Sequence, residues 1–364
     1  MKRIWRAALA AMLLCAQMPT AAAVGTSASS AILMEADSGR VIYEQNAHEP
    51  RLIASITKLM TALVALESGH ALNEDVTIRP EWAGAEGSSI YLKAGETVTL
   101  EQLLYGMLLR SGNDAALAVA GHCGGTVEDF VVSMNETAAR LGMKNSSFAN
   151  PNGLNAEGHY STAYDMALLA RACLGNQTLA KMVSTKTITL GTRTFTNHNK
   201  LLWRYEGCVG MKTGYTEKAG RTLVSAATRD GMTLVCVTLN DPNDWSDHAA
   251  LFDYGFAGYR VERLTQQGAV LARMPTRGSL VPFCPVAAGE ELSLCLREGE
   301  RVERTLEWNT VCLEGPLKVG TPVGEAVFYC NGGEAARIPL VTGTAVADDL
   351  APPENLLARL WPGD

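Results

Sequence analysis

A change of period near residue 207 constrains the fold more than any other feature of this chain. Before it, "TLEQLLYGMLLRSGNDAALAVAGH", "TVEDFVVSMNETAARLGM" and "STAYDMALLARACLGN" place apolar residues at helical spacing, with Gly or Asn near their ends. After it, "GCVGMKTGYTEKAG", "RTLVSAATRDGM" and "TLVCVTLND" read as three successive strands, the second pair joined by an Asp230-Gly231 turn. Two strand-like runs about Asp37-Ser38-Gly39 precede the helices, and "DWSDHAALFDYGFAGY" follows the strands as a helix. The order hairpin, helices, three strands, helix predicts an α+β domain. Its antiparallel sheet is assembled from both ends, with the helical block inserted between them.

Past about Val261, short apolar runs such as "ELSLCLRE" and "GEAVFYCNG" are separated by Gly, Pro and charges, the pattern of a small all-β domain. No catalytic cluster is visible there. The expected organisation is therefore a catalytic domain over 24–262, a β-rich domain over 263–350 and a short tail over 351–364.

The first 23 residues have a basic start (Lys2, Arg3, Arg6), an apolar stretch and Ala21-Ala22-Ala23. That order predicts an export signal cleaved after Ala23, and hence a location in the extracytoplasmic envelope. No other segment approaches the roughly 20 apolar residues that a membrane helix requires. The formal charge is −7, and removing a signal with three basic and no acidic residues makes the remainder more negative. An acidic chain without a basic run is a poor partner for nucleic acid or anionic lipid. Eight cysteines lie beyond the signal, none in Cys-x-x-Cys spacing and none with a histidine pair at zinc-site intervals, so no metal or other cofactor is expected. Disulfides and buried thiols are both compatible with their positions.

Within "RLIASITKLMTALVALESG" a single lysine, Lys58, stands in an otherwise apolar or small run, and no acid lies within a turn of it. The run reads as a helix from about Ala54 to Glu67. Its large apolar residues share one arc, while Ser55, Lys58, Ala62 and Ala65 share another, on which the alanines leave room for a cleft. One Ser-x-x-Lys decides nothing, because such pairs arise by chance. Two further signals follow in chain order: Ser111-Gly112-Asn113 interrupts the helical block, and Lys212-Thr213-Gly214 ends a strand at the mouth of a hairpin. Jointly they match the set of serine penicillin-recognising enzymes.

The chemistry is consistent with that set. A serine hydroxyl is a weak nucleophile until a base removes its proton. A lysine acts as that base only when burial or a neighbouring cation makes it neutral near pH 7. The helix supplies Lys58 with no carboxylate, and Lys212 folded into the same cleft supplies a second positive charge. Ser111 and Asn113 are candidates to relay a proton and hold a substrate amide; Lys212 and Thr213 are candidates to bind a substrate carboxylate. A Ser-His-Asp triad is disfavoured, since the six histidines fall in loops or helix ends and no Gly-x-Ser-x-Gly is present. They read as surface or structural residues.

Taken together, "ASITKLMTALVALE", "LLRSGNDAALAVA", "NPNGL", "STAYDMALLAR" and "VGMKTGYTEKAGRTLVSAA" resemble the low-molecular-mass penicillin-binding proteins, specifically the serine D-alanyl-D-alanine carboxypeptidases. The resemblance spans about residues 28 to 260. It implies a β-lactamase and transpeptidase type of fold, with the active site between the sheet and the helices. It implies that Ser55 is acylated by a peptidoglycan stem peptide ending in D-Ala-D-Ala, with Lys58 as base and Ser111 and Asn113 as the second motif. Lys212, Thr213, Gly214 and Tyr215 would form the substrate-binding strand, and the backbone N–H groups of Ser55 and Tyr215 the oxyanion hole. Beta-lactams would acylate the same serine. The chain departs from relatives in having Ile53 where proline is frequent, and its last residues, "APPENLLARLWPGD", form a weak membrane anchor at best. A beta-lactamase on the same scaffold, a transpeptidase or endopeptidase, and a non-catalytic wall-binding protein are the competing readings.

Overall fold

The computed structural model describes residues 24–350, so the expected export signal and the C-terminal tail lie outside the described residues. The chain forms two compact units, one of 24–33, 43–226 and 235–254, the other of 34–42, 227–234 and 255–350.

The central sheet has five strands: β1 (Ser30–Glu35), β2 (Val41–Gln45), β7 (Cys208–Thr216), β8 (Gly220–Arg229) and β9 (Met232–Leu239). They lie in the order β2-β1-β9-β8-β7, so the N-terminal hairpin joins the three late strands, as the order of elements predicts. Strands β1 and β9 run antiparallel. At one end Ser29 N–H donates to Leu239 C=O, and at the other Ala36 N–H donates to Thr233 C=O. Every residue of β1 is buried, which explains its continuous apolar run.

Between the two halves of the sheet come α1 (Lys58–Glu67), the two-stranded ribbon β3 (Asp75–Thr77) and β4 (Thr97–Thr99), α2 (Leu100–Leu109), α3 (Asn113–Cys123), α4 (Val127–Arg140), α5 (Ala163–Gly175) and α6 (Gln177–Ser184). The ribbon β5 (Thr187–Leu190) and β6 (Arg193–Thr196), the one-turn α7 (Leu201–Arg204) and, after the sheet, α8 (Asp244–Gly258) complete the elements. Short polar residues start the helices. Thr99 and Gln102 form a reciprocal capping box, and Thr126, Thr162 and Asn176 each accept a backbone N–H at the head of the following helix.

Helix α1 is the hub, packed against all five helices from α2 to α6. Eight of its ten residues are buried, which is why its sequence carries so little charge. Two expectations are corrected here. Residues Ala54–Thr57 form a tight 3-10 turn rather than the first turn of the α-helix, because Ala54 adopts φ +49° and Thr57 Oγ1 donates back to Ala54 C=O at 2.8 Å. Ala62 and Ala65 do not border a cleft; both are fully buried, and their small size lets neighbouring helices approach.

The second unit is strand-rich. Strands β11 (Val270–Arg277), β12 (Phe283–Ala288), β14 (Val302–Trp308), β15 (Leu313–Glu314), β16 (Pro322–Cys330) and β17 (Gly333–Thr342) form a sheet ordered β14-β16-β17-β12-β11-β15. A separate pair joins β10 (Tyr259–Thr265) to β13 (Leu292–Arg297), so β10 runs through the boundary expected at 262/263. Met274, Val286, Phe328, Ile338 and Leu340 lie at the centre of its core. All eight cysteines of the described residues are free thiols.

Candidate active site

Four residues of the described chain hold positive φ without being Gly, Asn or Asp: Ala54, Tyr91, Ser111 and Met211. Such backbone costs about 1–3 kcal/mol per residue and persists only where surrounding structure enforces it. Ala54 precedes Ser55, Ser111 opens the second motif and Met211 precedes Lys212, so the strain falls on all three sequence signals. Tyr91 belongs to the loop that packs on the second.

The three signals converge on one cleft of about 460 Å³. Ser55, Ser111, Thr213, Gly214 and Tyr215 all line it, while Lys58, Asn113 and Lys212 are buried behind its surface. Lys58 Nζ lies 2.9 Å from Ser55 Oγ and 2.7 Å from Asn113 Oδ1, and also donates to the backbone C=O of Asn152. Burial, and then the Lys212 cation, hold the Lys58 amine well below its ordinary range. Asp114 opposes them. Lys58 therefore does have an acid nearby, although none lies within a turn of it on its own helix; Asp114 arrives from α3, and its oxygens are otherwise engaged. Asp114 accepts from Ser89 Oγ at 2.6 Å and from the backbone N–H groups of Ile90, Leu92 and Ala115.

Those bonds position the loop that places Ser88 on the cleft. The backbone of Ser88 accepts from Asn113 N–H at 2.7 Å, and Asn113 Nδ2 donates to Glu86 C=O at 2.6 Å. Both ends of the Asn113 amide are thus satisfied within the protein, with Oδ1 turned to Lys58.

On the opposite wall, Lys212 is 1 % exposed and donates to Thr213 C=O at 2.7 Å. Burial lowers its amine to about 7. Gly214 passes so close to the nucleophile turn that an added Cβ would lie 2.4 Å from Thr222 Oγ1 and 2.9 Å from Ser55 N. Thr222 Oγ1 also donates to Ile53 C=O at 2.9 Å, joining β8 to the same turn. Glycine here permits a close approach of two backbones, not a special dihedral.

Several contributors carry little signal in the sequence. His159 accepts Ala149 N–H on Nδ1 at 3.1 Å and sits 2.8 Å from Thr57 Oγ1 through Nε2. Burial, then the Lys58 charge, lower it to about 4, so it is a neutral strut under the turn. His198, which the sequence marks only as a surface or structural residue, lines the cleft. Arg221 and Trp245 also line it; Arg221 is clamped by Asp244 through contacts of 2.8–3.0 Å and lies 5.6 Å above the Trp245 ring. The "NPNGL" stretch supplies the Asn152 carbonyl. No local pattern reveals that it meets Lys58.

Known proteins resemble this chain in sequence and in fold. The family model described as D-alanyl-D-alanine carboxypeptidase, Peptidase S11, matches residues 16–243. The chain belongs to that family. It is 33 % identical to the D-alanyl-D-alanine carboxypeptidase DacF of Bacillus subtilis, over 86 % of this chain and 84 % of that one. Identity to DacA of Escherichia coli is also 33 %, over 86 % and 82 %. Among solved structures, penicillin binding protein 5 from Haemophilus influenzae superposes with a TM-score of 0.77 at 28 % identity, covering 89 % of this chain and 98 % of that one. A peptidoglycan synthesis regulatory factor (PBP3) from Streptococcus pneumoniae gives 0.76 at 26 %, covering 88 % and 100 %. The chain is thus a serine carboxypeptidase of peptidoglycan metabolism, and members of its family act outside the cytoplasm. No helix among the described residues is long and apolar enough to cross a membrane.

Proposed function

We propose that Ser55 removes the terminal D-alanine from peptidoglycan stem peptides through an acyl-enzyme, with Lys58 as its base. The single observation that carries this reading is the surroundings of Lys58. It is fully buried, contacts the serine hydroxyl, and is bonded to two carbonyl oxygens instead of a carboxylate.

In the first step neutral Lys58 takes the Ser55 proton as Oγ attacks the carbonyl carbon between the two D-alanines. The resulting oxyanion is held by the backbone N–H groups of Ser55 and Tyr215. The C–N bond then breaks and the proton passes to the departing D-alanine amine, with Ser111, across the cleft, available to relay it. In the second step water attacks the ester and gives a proton to Lys58, which passes it to Ser55 Oγ as the ester C–O bond breaks; the acid product loses its own proton to solvent and leaves as a carboxylate. Lys212 and Thr213 bind the terminal carboxylate of the incoming peptide, and Gly214 and Tyr215 lie along its backbone. A beta-lactam presents a reactive amide and a carboxylate in a similar relation, and therefore acylates Ser55.

In this reading residues 24–262 are the catalytic domain, residues 263–350 contribute no catalytic group, and residues 1–23 direct export to the envelope. The test is mass spectrometry of the products from a pentapeptide ending in D-Ala-D-Ala. Loss of one D-alanine by the parent and none by Ser55→Ala is expected. Hydrolysis by the variant would remove Ser55 from its role, and cross-linked products would make the enzyme a transpeptidase.

A further inference from the structure

Three donors of the kind that bind transition metals meet at the far ends of the two helices that carry Lys58 and Asn113. His70 follows the C-terminus of α1, His122 lies in the last turn of α3, and Glu74 stands just before β3. By the helical rise this places them roughly 15 Å from the cleft. His70 Nδ1 is 2.9 Å from one Glu74 oxygen, and His122 Nε2 is 3.2 Å from the other. The three donor atoms all lie within 4.8 Å of one another.

His122 Nε2 is buried and forms no hydrogen bond, although Glu74 Oε1 is 3.2 Å away. An N–H aimed at that oxygen would form a bond at this range. His122 Nε2 is thus a buried nitrogen beside a carboxylate that leaves it without a hydrogen-bond partner. Around a tetrahedral zinc ion, with metal–ligand distances of about 2.0–2.1 Å, neighbouring donors lie about 3.3 Å apart. The spacings of 2.9 and 3.2 Å run to the two different Glu74 oxygens, so an ion held by one of them draws the donors in from a separation of at most 4.8 Å.

The donors are also held in place. Glu74 N–H donates to Ala71 C=O at 3.0 Å, and Glu74 C=O accepts from Leu100 N–H at 3.0 Å, so its backbone is fixed beside the β3–β4 ribbon. His122 is set by α3. His70, just past Gly69, sits on the loop after α1, which Glu101 N–H ties through Leu72 C=O at 2.8 Å. Their separation along the chain fits none of the short zinc intervals, which is why the sequence leads to an expectation of no metal.

We propose that His70, Glu74 and His122 form a binding site for one divalent cation of the zinc class, with a fourth position open to water. Two imidazoles and a carboxylate match the donor preference of such ions. The site is remote from Ser55, so its role is to fasten the loop after α1 to the end of α3 and thereby brace the helices beneath the cleft. With no metal, the same side chains are simply a carboxylate shared by two imidazoles.

The test is calorimetric zinc titration of the chelator-treated full chain beside His70→Ala, His122→Ala and Glu74→Gln, with thermal melts run with and without zinc. One equivalent bound by the parent and none by any of the variants is expected. At a hundredfold excess over Kd the parental Tm rises by about 5–10 °C, whereas the variants do not shift. Cobalt(II) in the parent should give the visible bands of a nitrogen and oxygen site without thiolate charge transfer, which separates this site from the free cysteines even if a variant misfolds. No uptake by the parent, uptake that survives the three substitutions, or a thiolate band would each overturn the assignment.

Discussion

Lys58 Nζ stands 2.9 Å from Ser55 Oγ with carbonyl oxygens, Asn113 Oδ1 and Asn152 O, as its other two partners. Carbonyl oxygens only accept. A neutral amine has two N–H bonds and one lone pair, so both N–H bonds are used on the carbonyls and the lone pair is left facing the serine hydroxyl. The contacts around Lys58 thus select which of its atoms meets the nucleophile.

Lys58→Arg tests that assignment, because it puts a permanent cation in place of a base that is neutral near pH 7. Acylation of Ser55 by a fluorescent penicillin should fall by about 10²–10⁴-fold. A rate near that of the parent would mean that the lysine serves only as a charge.

Lys212 is lowered to about 7 by burial and is read as the cationic partner of the substrate carboxylate. It is charged below that pH and neutral above it, so kcat/KM for a carboxylate-bearing peptide should fall as pH rises through about 7. Lys212→Arg, which stays charged, should lose that alkaline limb. An unchanged limb in the variant would assign it to another group.

The same burial has a stability signature. With an amine near 10.5 when unfolded and about 7 when folded, the unfolded chain binds more protons between those values, so parental stability rises with pH across that window. Lys212→Met should therefore exceed the parent in stability most at pH 6, with the margin shrinking by about 2–3 kcal/mol by pH 9. Chemical unfolding at the two pH values measures it; a constant margin would show that Lys212 is not desolvated.

Gly214→Ala places a methyl group 2.9 Å from Ser55 N and 2.4 Å from Thr222 Oγ1. The nucleophile turn or β7 must then shift by several tenths of an ångström. A loss of about 10²-fold in acylation rate is expected, with a much smaller change in Tm. Equal losses in Gly214→Ala and Gly214→Ala/Thr222→Ala would show that the clash with Thr222 is not the cause.

His159 is held to about 4 and must be charged for the chain to follow its unfolded protonation state. The stability it contributes is fully present above about 6.5 and is lost as pH falls through 4, a change of about 3 kcal/mol. His159→Gln should flatten the acid limb of a plot of stability against pH while lowering stability at pH 7 by about 1–3 kcal/mol through the altered bond to Thr57. An unaltered acid limb would place the titration elsewhere, His248 being the next buried imidazole.

Much of this protein was legible in the chain because the relevant signals are local. The change of period at 207 reflects the difference between side chains repeating every 3.6 residues and every two. It led correctly to a sheet closed by its two ends around a helical block. Ser55, Ser111 and Lys212 were recognisable by their immediate neighbours and their order. What was missed was short or had no period of its own: α6, the β5–β6 ribbon, and the 3-10 turn around Ser55, where Thr57 Oγ1 bonds back to Ala54 C=O and also meets His159 from a distant loop.

The sequence by itself determined the major helices and sheet strands, the order of the three motifs and the absence of any acid within a turn of Lys58. Only the tertiary structure decided what those residues meet. Desolvation of Lys58 and Lys212, the arrival of Asp114 from another helix, the Asn152 carbonyl at the amine and the meeting of His70, Glu74 and His122 are all contacts between distant segments. Burial and charge act through space, and their strength depends on which surfaces the fold brings together, which no local spacing of residues encodes.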